Sequence, residues 1–471
     1  MAAFHGRERE LSELEQLYKK DGFKFAVVYG RRRVGKSTMI HEFIANGSKP
    51  NISFMCLEQN SKQNLEAFSE AVLEKYPAAR EYLTAFPSWD KALDYIVAQA
   101  GNGGDERLVL FLDEFPYLAR AYETISSLLQ KYADGPFLKT NIMFILCGSS
   151  MSFMENQVLG GKSPLYGRRD MQFKIEPFDY YESANFFPNC SSIEKALGYG
   201  IAGGIPLYLQ KISEYKTLAD GVKNSFLKKN GSLYEEPRNL MLQELREPAI
   251  YNAIIKSIAN GCTKPNEIAI KSGEEGSKVS KYLTTLISLH LVKKELPALE
   301  SQERGGIYTL SDNMFRFWYR FVVDNNMNIE SGMHDYVYDE KILPQLSDYM
   351  GRIFEDICIQ FMTRQNRTMK LPFVFDSIGR WWGNNPETRS QQEIDIIAAG
   401  GKTAIFGECK WTNKVIDRAV LDELVAKASM FKHFDKKFYY LFSRSGFTQG
   451  LVDAAASDQS IRLISLDEVY L

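Results

Sequence analysis

The sequence predicts an α/β fold, in which a doubly wound parallel sheet is followed by helical segments and a second α/β domain. Three observations predict this arrangement. Short apolar runs typical of buried strands alternate with helical patterns from residue 25 to residue 175. Three helical patterns and a hairpin pattern follow between residues 247 and 310. Near the C-terminus, two further strand patterns flank the turn at residues 399–402.

Length, composition and net charge limit the classes of protein to which the chain can belong. At 471 residues the chain has room for about three domains of the usual ~150 residues. A net charge of −2 argues against a whole-surface affinity for polyanions, so any nucleic-acid site must be a local patch. The six cysteines form no CxxC pair, which is typical of reduced thiols in a cytoplasmic protein. No apolar run approaches the ~20 residues of a membrane span, and the start lacks a signal-peptide core, so no membrane partner is expected.

The strongest motif lies between Phe25 and Ile40. An apolar strand pattern leads to Gly30, four residues, Gly35, Lys36 and Ser37, and then to a helical pattern. Glycines allow the backbone to aim its N–H groups inward, and the positive end of the next helix attracts phosphate. Lys36 would neutralise the phosphates of ATP and Ser37 would hold the bridging Mg²⁺. The alternative is a glycine-rich turn that matches by chance. The predicted nucleotide-binding residues are Gly30, Arg31, Arg32, Arg33, Val34, Gly35, Lys36, Ser37 and Thr38.

Two further strand patterns end in polar residues. The run at residues 108–112 leads to Asp113 and Glu114. We expect Asp113 to hold the Mg²⁺ through its water shell and Glu114 to polarise the attacking water. A strand that merely ends in acids is the alternative. The run at residues 142–146 leads to Ser149, which either senses the γ-phosphate or is an ordinary loop serine.

Arg168 lies in a loop before another strand pattern, at residues 173–175. An arginine that reaches the γ-phosphate raises the rate by about 10³–10⁵-fold where such a finger operates. Arginines also commonly form simple ion pairs, and spacing alone does not distinguish the two roles.

Together these motifs resemble the archaeal-type ATPases of the AAA+/STAND group. The resemblance rests on Phe-His-Gly-Arg-Glu at residues 4–8, Gly-Arg-Arg-Arg-Val-Gly-Lys-Ser, Leu-Asp-Glu-Phe, Cys-Gly-Ser-Ser, the Gly-Arg pair and Gly-Gly-Ile-Pro. It covers roughly residues 1–235 and continues into the C-terminal half. It implies ATP hydrolysis, a lid that includes residues 204–206, added weight for Arg168 as a phosphate-side arginine, and a C-terminal winged helix and nuclease-like domain.

The middle of the chain predicts a winged helix-turn-helix. Helical patterns at residues 247–259, 265–270 and 278–290 precede a hairpin formed by residues 291–295 and 307–310. The third helix of such a unit enters the major groove of DNA, while Glu274 and Glu275 weaken the case for DNA contact. The alternative is an internal spacer packed on the ATPase. The lysines expected to meet DNA phosphates are Lys278, Lys281, Lys293 and Lys294.

The C-terminal strand patterns predict a second site. Residues two apart in a strand point the same way, so Glu408 and Lys410 share a face, and a hairpin brings Asp395 beside them. Asp395 and Glu408 would hold a divalent metal ion, aided by the Cys409 carbonyl. Lys410 would orient or deprotonate the water that attacks a phosphodiester, and Glu355 would complete the site from a helix. The alternative is a surface ion pair between Glu408 and Lys410.

This set resembles the PD-(D/E)XK nuclease superfamily, with a restriction-endonuclease-like α/β fold, over about residues 350–471. The first acid of that motif usually follows proline, whereas here Asp395 follows Ile394. The predicted domains are a P-loop ATPase (1–185), a helical lid (186–240), a winged helix (241–323), a helical connector (324–349) and the nuclease-like domain (350–471).

The predicted function is an ATP-hydrolysing protein that couples its nucleotide state to a Mg²⁺-dependent DNA nuclease-like domain. The alternative is a nucleotide-controlled switch or DNA-binding regulator whose C-terminal domain does not cleave. DNA is the expected partner, with a second copy of the chain or another protein as further partners.

Overall fold

A computed structural model of the chain describes residues 4–102, 106–245, 247–300, 306–385 and 389–471. The chain divides into two compact units, one ending at Pro177 and the other beginning at Phe178. The residues predicted as a lid, 186–240, therefore fall in the second unit, and the division comes before the predicted domain boundary at residue 185.

The first unit is built on a parallel sheet, which confirms the predicted α/β architecture. Its strands are β1 (Lys24–Gly30), β2 (Asn51–Met55), β3 (Leu108–Asp113), β4 (Ile142–Gly148) and β5 (Met171–Ile175). Across the described part of this unit, these five strands pair in parallel in the order β2, β3, β4, β1, β5. The phosphate-loop strand β1 is thus separated from β3 by β4.

Helices connect these strands. They are α1 (Glu8–Tyr18), α2 (Lys36–Ala45), α3 (Ser61–Lys75), α4 (Trp89–Asn102), α5 (Phe115–Ala121), α6 (Ile125–Ala133) and α7 (Met151–Phe153), with short helical turns at Pro77–Glu81, Pro136–Lys139 and Met154–Val158. Every residue of β3 and β4 is buried. Their continuous apolar runs fit a parallel sheet whose faces are covered, rather than one with a solvent-exposed face.

The second unit begins with helices. They are α8 (Tyr180–Ser183), α9 (Ser192–Ala202), α10 (Pro206–Ser213), α11 (Leu218–Phe226) and α12 (Glu236–Glu244), with a helical turn at Ala184–Phe186. Helix α9 starts with a capping box, in which Ser191 and Glu194 satisfy each other's backbone N–H groups. It ends at Gly203, whose φ of 69° suits glycine.

Three helices and a hairpin follow in the predicted order. They are α13 (Pro248–Ala259), α14 (Pro265–Ser272), α15 (Gly276–Ser288), β6 (Val292–Glu295) and β7 (Ile307–Leu310). The two strands are antiparallel and pair Val292 with Leu310. Helix α15 buries Val279, Leu283 and Leu286 at helical spacing. Its lysines Lys278 and Lys281 are exposed, whereas Lys293 is engaged by acidic side chains of this unit.

A helical segment leads to the last sheet. It consists of α16 (Asn313–Phe317), α17 (Asn326–Glu330), α18 (His334–Tyr336) and α19 (Leu346–Arg367), with helical turns at Trp318–Val322, Val323–Asn325, Val337–Ile342 and Leu343–Gln345. Helix α19 begins inside the predicted connector, because its apolar stripe already starts at Leu346 and Tyr349.

The C-terminal sheet is mixed. Its elements are β8 (Ser377–Asn384), β9 (Gln391–Gly400), β10 (Thr403–Lys410), α20 (Arg418–Ala428), β11 (Lys436–Ser443), α21 (Gln449–Ser457), β12 (Ile461–Ser465) and α22 (Leu466–Val469). Strands β8, β9 and β10 are antiparallel neighbours, whereas β10, β11 and β12 are parallel. Helix α20 is the crossover between parallel β10 and β11, as such a connection requires. In the described ranges, no helix has both the length and the apolar character needed to cross a bilayer.

Candidate functional site

The phosphate-binding loop joins β1 to α2 at the carboxyl edge of the first sheet. Gly30 lies so close to β5 that a Cβ atom there would be 2.3 Å from the Ile175 carbonyl oxygen. Gly35 has a φ of 87° and immediately precedes the first residue of α2. Both positions therefore require glycine, one for space and the other for its backbone conformation. This geometry explains the spacing of the two glycines in the sequence.

Lys36 is held at the start of α2 by the loop itself. Its side chain is buried, and Nζ donates to the Arg31 carbonyl oxygen at 3.0 Å. Arg32 Nη2 donates to the Tyr117 hydroxyl at 2.9 Å. Arg33 has a φ of 69°, which places it in the left-handed region. Loop residues Val34 and Ser37 are buried and half-buried respectively, and Thr38 is exposed.

Arg7 supports the loop, a role that the sequence did not reveal. The buried guanidinium donates from Nη2 to the Val34 carbonyl oxygen at 3.2 Å and to the Glu176 carbonyl oxygen at 2.6 Å. Nη1 also contacts Glu10 at 3.4 Å. The residue therefore ties the loop to the end of β5. Val34 and Glu176 are distant from Arg7 in sequence, and the sequence indicated only that Arg7 belongs to the motif at residues 4–8.

Asp113, Glu114 and Ser149 lie together at the ends of β3 and β4. Glu114 donates its backbone N–H to Asp113 Oδ1 at 2.9 Å. The Glu114 Oε2 atom accepts from the Ser149 hydroxyl at 2.7 Å and from the Ser149 backbone N–H at 3.2 Å. Glu114 has a φ of 49°, a left-handed conformation that is uncommon for this residue type. The structure thus links Ser149 directly to the carboxylate predicted to polarise water.

The donors near the loop fit a magnesium ion. Ser37 offers a hydroxyl in the first turn of α2, and Asp113 offers a buried carboxylate at the end of β3. Hydroxyl and carboxylate oxygens are the hard ligands that Mg²⁺ prefers, and it usually keeps several waters. The two residues stand at the carboxyl edge of the same parallel sheet, which is where such folds bind their ligands.

Arg168 lies at the opposite edge of that sheet. It precedes β5, in which Met171 pairs with Ala26 and Ile175 pairs with Gly30. A strand rises by about 3.3 Å per residue, so the two ends of β5 are about 13 Å apart. The guanidinium forms a two-point pair with Asp134, at 2.7 and 2.8 Å. Arg168 is therefore directed away from the phosphate-binding loop of its own chain.

The second candidate site lies where the pairing of β9 with β10 ends. The antiparallel pairing of the two strands ends with Gly407 opposite Ile396, and the next residues along the strands are Glu408 and Asp395. Asp395 Oδ2 accepts the Cys409 backbone N–H at 2.8 Å. The predicted hairpin therefore does bring Asp395 next to the strand that carries Glu408.

Two lysines hold Glu408. Lys410 Nζ donates to Oε1 at 2.7 Å, and Lys427 Nζ of α20 approaches Oε2 at 3.4 Å. Glu408 is only 7% exposed, whereas the Lys410 side chain is 38% exposed. The ion pair of Glu408 with Lys410, which was the alternative to a metal site, is therefore present, although Glu408 is buried and not at the surface. Lys427 is a neighbour that the sequence pattern did not indicate.

Burial and neighbouring charges shift the pKa values of Asp395 and Lys410. Burial, together with the nearby charges of Glu408 and Glu355, raises the pKa of Asp395 to about 7. Burial alone would lower the pKa of Lys410, but the charge and hydrogen bond of Glu408 outweigh it and raise that pKa. Carboxylates that repel one another in a buried place are favourable for a cation, which would relieve the repulsion.

Glu355 does not complete the site as predicted. Its carboxylate accepts from Arg380 Nε of β8 and is 3.7 Å from Arg352 Nη1. Burial raises the pKa of Glu355, although the charges of Arg380 and Arg352 act in the opposite direction. Across the described residues, no three His, Cys, Asp or Glu side chains converge as a metal-binding group. The fitting donors are therefore the two carboxylates of Asp395 and Glu408, without Glu355.

Arg380 is the centre of a buried ion cluster that joins the hairpin to α19 and β8. Besides Glu355, it contacts Asp356 at 2.8 Å and Glu295 of β6 at 3.4 Å. Lys293 and Arg352 each contact Glu295 at 2.6 Å. The cluster members are Glu295, Glu355, Asp356, Lys293, Arg352 and Arg380.

We expect Asp356→Asn to destabilise the second unit. Burial alone would raise the pKa of Asp356, but the charges of Arg380 and Lys293 outweigh it and hold that pKa well below the ordinary 3.8. The ionised carboxylate therefore stabilises the fold above about pH 4, and this contribution is lost as the pH falls through the folded-state pKa. The variant should lose about 3 kcal/mol of unfolding free energy at pH 7.

Urea unfolding at pH 7 and at pH 3 measures this loss. The difference between wild type and Asp356→Asn should narrow at the lower pH, because the unfolded carboxyl is then largely protonated. Asp453→Asn, which changes an exposed acid of α21, should stay within about 0.5 kcal/mol of wild type. A loss that is equal at both pH values would contradict the assignment.

Comparisons with known proteins agree with this geometry. A family model described as an ATPase domain predominantly from Archaea matches residues 4–212. A model described as archaeal and bacterial proteins of unknown function matches residues 318–422. An uncharacterized protein of Methanocaldococcus jannaschii is 31% identical over 411 residues, which cover 87% of each chain. The chain belongs to the same family as this protein, and its residues 4–212 match the ATPase domain.

Solved structures are similar to much of this chain, and one of them, with a TM-score above 0.5, shares its fold. The Walker-type ATPase of Pyrococcus abyssi is 18% identical, with a TM-score of 0.51, and covers 67% of this chain and 96% of its own. The Aeropyrum pernix ORC2 protein, solved with ADPNP and ADP, is 15% identical, with a TM-score of 0.46, and covers 70% and 96%. The family match and the P-loop fold confirm the predicted ATPase activity.

Proposed function

We propose that this ATPase uses its nucleotide state to control a metal-dependent, nuclease-like site in its C-terminal sheet. The observation that carries the proposal is the packing of α9, in the predicted lid, against α19, which lies beside the C-terminal sheet. A lid that changes position with bound nucleotide would then move the sheet with it.

The contact between α9 and α19 is close and polar as well as apolar. The Tyr349 hydroxyl of α19 donates to the Gly200 carbonyl oxygen of α9 at 2.7 Å. Gln360 Nε2 donates to the Tyr199 hydroxyl at 2.9 Å. A Cβ atom at Gly200 would be 2.5 Å from Met350 Sδ, so the two helices are so close here that only glycine fits without a shift of the Met350 side chain. Buried hydrogen bonds and close packing favour motion of the two helices as one body.

ATP hydrolysis would proceed at the carboxyl edge of the first sheet. When bound, Mg²⁺ neutralises phosphate charge at Ser37 and Asp113. Lys36 would exchange the Arg31 carbonyl for a phosphate oxygen, and the backbone of the loop would orient the phosphates. Glu114 would accept a hydrogen bond from the attacking water, and Ser149 would keep the Glu114 carboxylate in place or release it.

The C-terminal site supports phosphodiester chemistry. Asp395 and Glu408 would hold a divalent ion, which polarises a phosphate oxygen and activates water when it is bound. Lys410, partly exposed and next to Glu408, would position or deprotonate that water. The order of α19, three antiparallel strands, α20 and a parallel strand is consistent with the nuclease-like superfamily. Exposed Lys278 and Lys281 on α15 would contact DNA phosphates.

Arg168 fits this proposal only in an oligomer. Because it lies at the amino edge of its own sheet, it would have to serve the phosphate-binding loop of a neighbouring subunit. It would also have to exchange Asp134 for phosphate. Turnover per chain would then rise with protein concentration.

A second candidate function is a nucleotide-controlled switch that binds DNA or protein without cutting. The pairing of Glu408 with both Lys410 and Lys427 favours it, because two cations already neutralise that carboxylate. A cation would have to displace at least one of them.

Plasmid cleavage in Mn²⁺ or Mg²⁺ tests the proposal. Wild type should cut at rates that differ by about tenfold between ATP and ADP, a coupling of about 1.4 kcal/mol. Lys36→Ala should cut at one rate under both conditions, because its phosphate-binding loop no longer holds nucleotide. Absence of cutting under every nucleotide condition would favour the switch, and equal rates in wild type would reject the coupling.

A further inference from the structure

A cleft in the second unit is lined by cationic side chains from three segments. Its volume is about 620 Å³, within the range of about 300–1,000 Å³ that is typical of small-ligand pockets. The cations are Arg316 and Arg320 after β7, Lys341 before α19, and Arg352 within α19. The cleft is remote in sequence from the phosphate-binding loop, and neither of the candidate sites uses it.

The hydrogen bonding of Arg316 is the evidence that the cleft binds a ligand. Its Nη2 donates to the Leu310 carbonyl oxygen at 2.7 Å. Its Nη1 is buried and has no hydrogen-bond partner among the residues that the structure describes. A guanidinium is always charged, and a buried N–H without an acceptor is costly. A ligand oxygen that accepts from this nitrogen would remove the cost.

The acids of the cleft do not neutralise it. Asp348 pairs with Arg320 at 2.7 Å, and Asp324 pairs with Lys256 at 2.7 Å. Among the ion pairs of the described residues, none includes Arg316 or Lys341. These two cations therefore leave the cleft with an excess of positive charge, which favours an anion.

The remaining wall suits a nucleotide. Tyr308 of β7 lines the cleft and is half-buried, and an aromatic ring is a group on which a base can stack. Phosphate oxygens accept readily from guanidinium groups, often at two points. We propose that the cleft binds a nucleotide phosphate, held by Arg316 and Lys341, with the base against Tyr308. The phosphate would come from a free mononucleotide or from the 5′-phosphorylated end of a nucleic-acid strand.

Through Arg352, a ligand in the cleft would affect the ion pairs next to the C-terminal sheet. Arg352 lines the cleft and also contacts Glu295 at 2.6 Å and Glu355 at 3.7 Å. A phosphate at Arg352 would compete with these carboxylates. Binding in the cleft stands independently of whether the C-terminal sheet cleaves DNA.

Calorimetric titration of the full-length Lys36→Ala chain tests the proposal, because that background removes nucleotide binding at the phosphate loop. The probes are thymidine 5′-monophosphate, the 5′-phosphorylated dinucleotide pTpT and unphosphorylated TpT. We expect saturable binding of a phosphorylated probe and at least about tenfold weaker binding of TpT. Equal affinity for the two phosphorylated probes identifies a free mononucleotide, and about tenfold tighter binding of pTpT identifies a strand end.

Matched variants locate the binding. Adding Arg316→Met should weaken the phosphorylated probes by at least about tenfold, and Lys341→Met should weaken them by about threefold or more. Arg238→Met, which removes an exposed charge of α12 that does not line the cleft, should leave the affinity unchanged. The unfolding temperature without ligand shows whether Arg316→Met is folded. If its fold is impaired, the affinity of Lys341→Met for the phosphorylated probes tests the proposal instead. No saturable binding, or affinities unchanged in both cleft variants, would overturn the proposal.

Discussion

Glu114→Gln should lower ATP turnover by about 10²–10⁴-fold while nucleotide still binds. The glutamine keeps the size of the side chain and can still accept from the Ser149 hydroxyl, which is 2.7 Å from the carboxylate. It cannot take a proton from water or strongly polarise it. Lys36 and the loop backbone remain intact, so the affinity for nucleotide should change little.

Steady-state turnover and nucleotide titration together measure this effect. Glu123→Gln is the matched control, because Glu123 is an exposed acid in the same unit. It should turn over ATP at the wild-type rate. A Glu114→Gln rate within about threefold of wild type would show that another group activates the water.

Under the proposed nuclease function, Lys410→Met should abolish metal-dependent DNA cleavage, with a loss of at least about 10²-fold. Methionine retains much of the apolar stem but removes the ammonium that contacts Glu408 at 2.7 Å. The carboxylates of Asp395 and Glu408 remain, so a divalent ion should still bind. The expected result is therefore a chain that holds metal and DNA without cutting.

Lys414→Met is the control for this second variant. Lys414 is exposed in the loop after β10, four residues beyond Lys410, and has the same charge. Plasmid cleavage by this control should match wild type. Equal losses in the two variants would indicate a general effect of charge on DNA binding and would contradict a specific role for Lys410.

Local motifs explain why much of the first unit was predictable. The elements of the phosphate site are contiguous in sequence, since Gly30, Gly35 and Lys36 belong to one strand–loop–helix segment. The contact of Ser149 with Glu114 required the order of β3 and β4, which a parallel sheet makes probable but does not specify. Arg7 was missed because its acceptors, Val34 and Glu176, are brought to it only by the folded chain.

In the second unit, the sequence pattern predicted contacts within the hairpin but not contacts between distant segments. Alternation along β9 and β10 was enough to place Asp395 near Glu408, because side chains in strands follow a period of two. Helical periodicity gave no information about Arg380, which approaches Glu355 from β8. Arg380 therefore occupies the Glu355 carboxylate, although the charge of Glu355 still acts on Asp395. The packing of α9 on α19 likewise joins segments separated by about 150 residues.

Counting bound Mn²⁺ in the presence of a non-hydrolysable ATP analogue tests whether the chain has two separate metal sites. Separate sites for a nucleotide-bound ion and for a carboxylate-bound ion predict about two Mn²⁺ per chain. Lys36→Ala should lose the first, and the double variant Asp395→Asn with Glu408→Gln should lose the second. A single Mn²⁺ in wild type, or a count that the double variant leaves unchanged, would contradict a second metal site at Asp395 and Glu408.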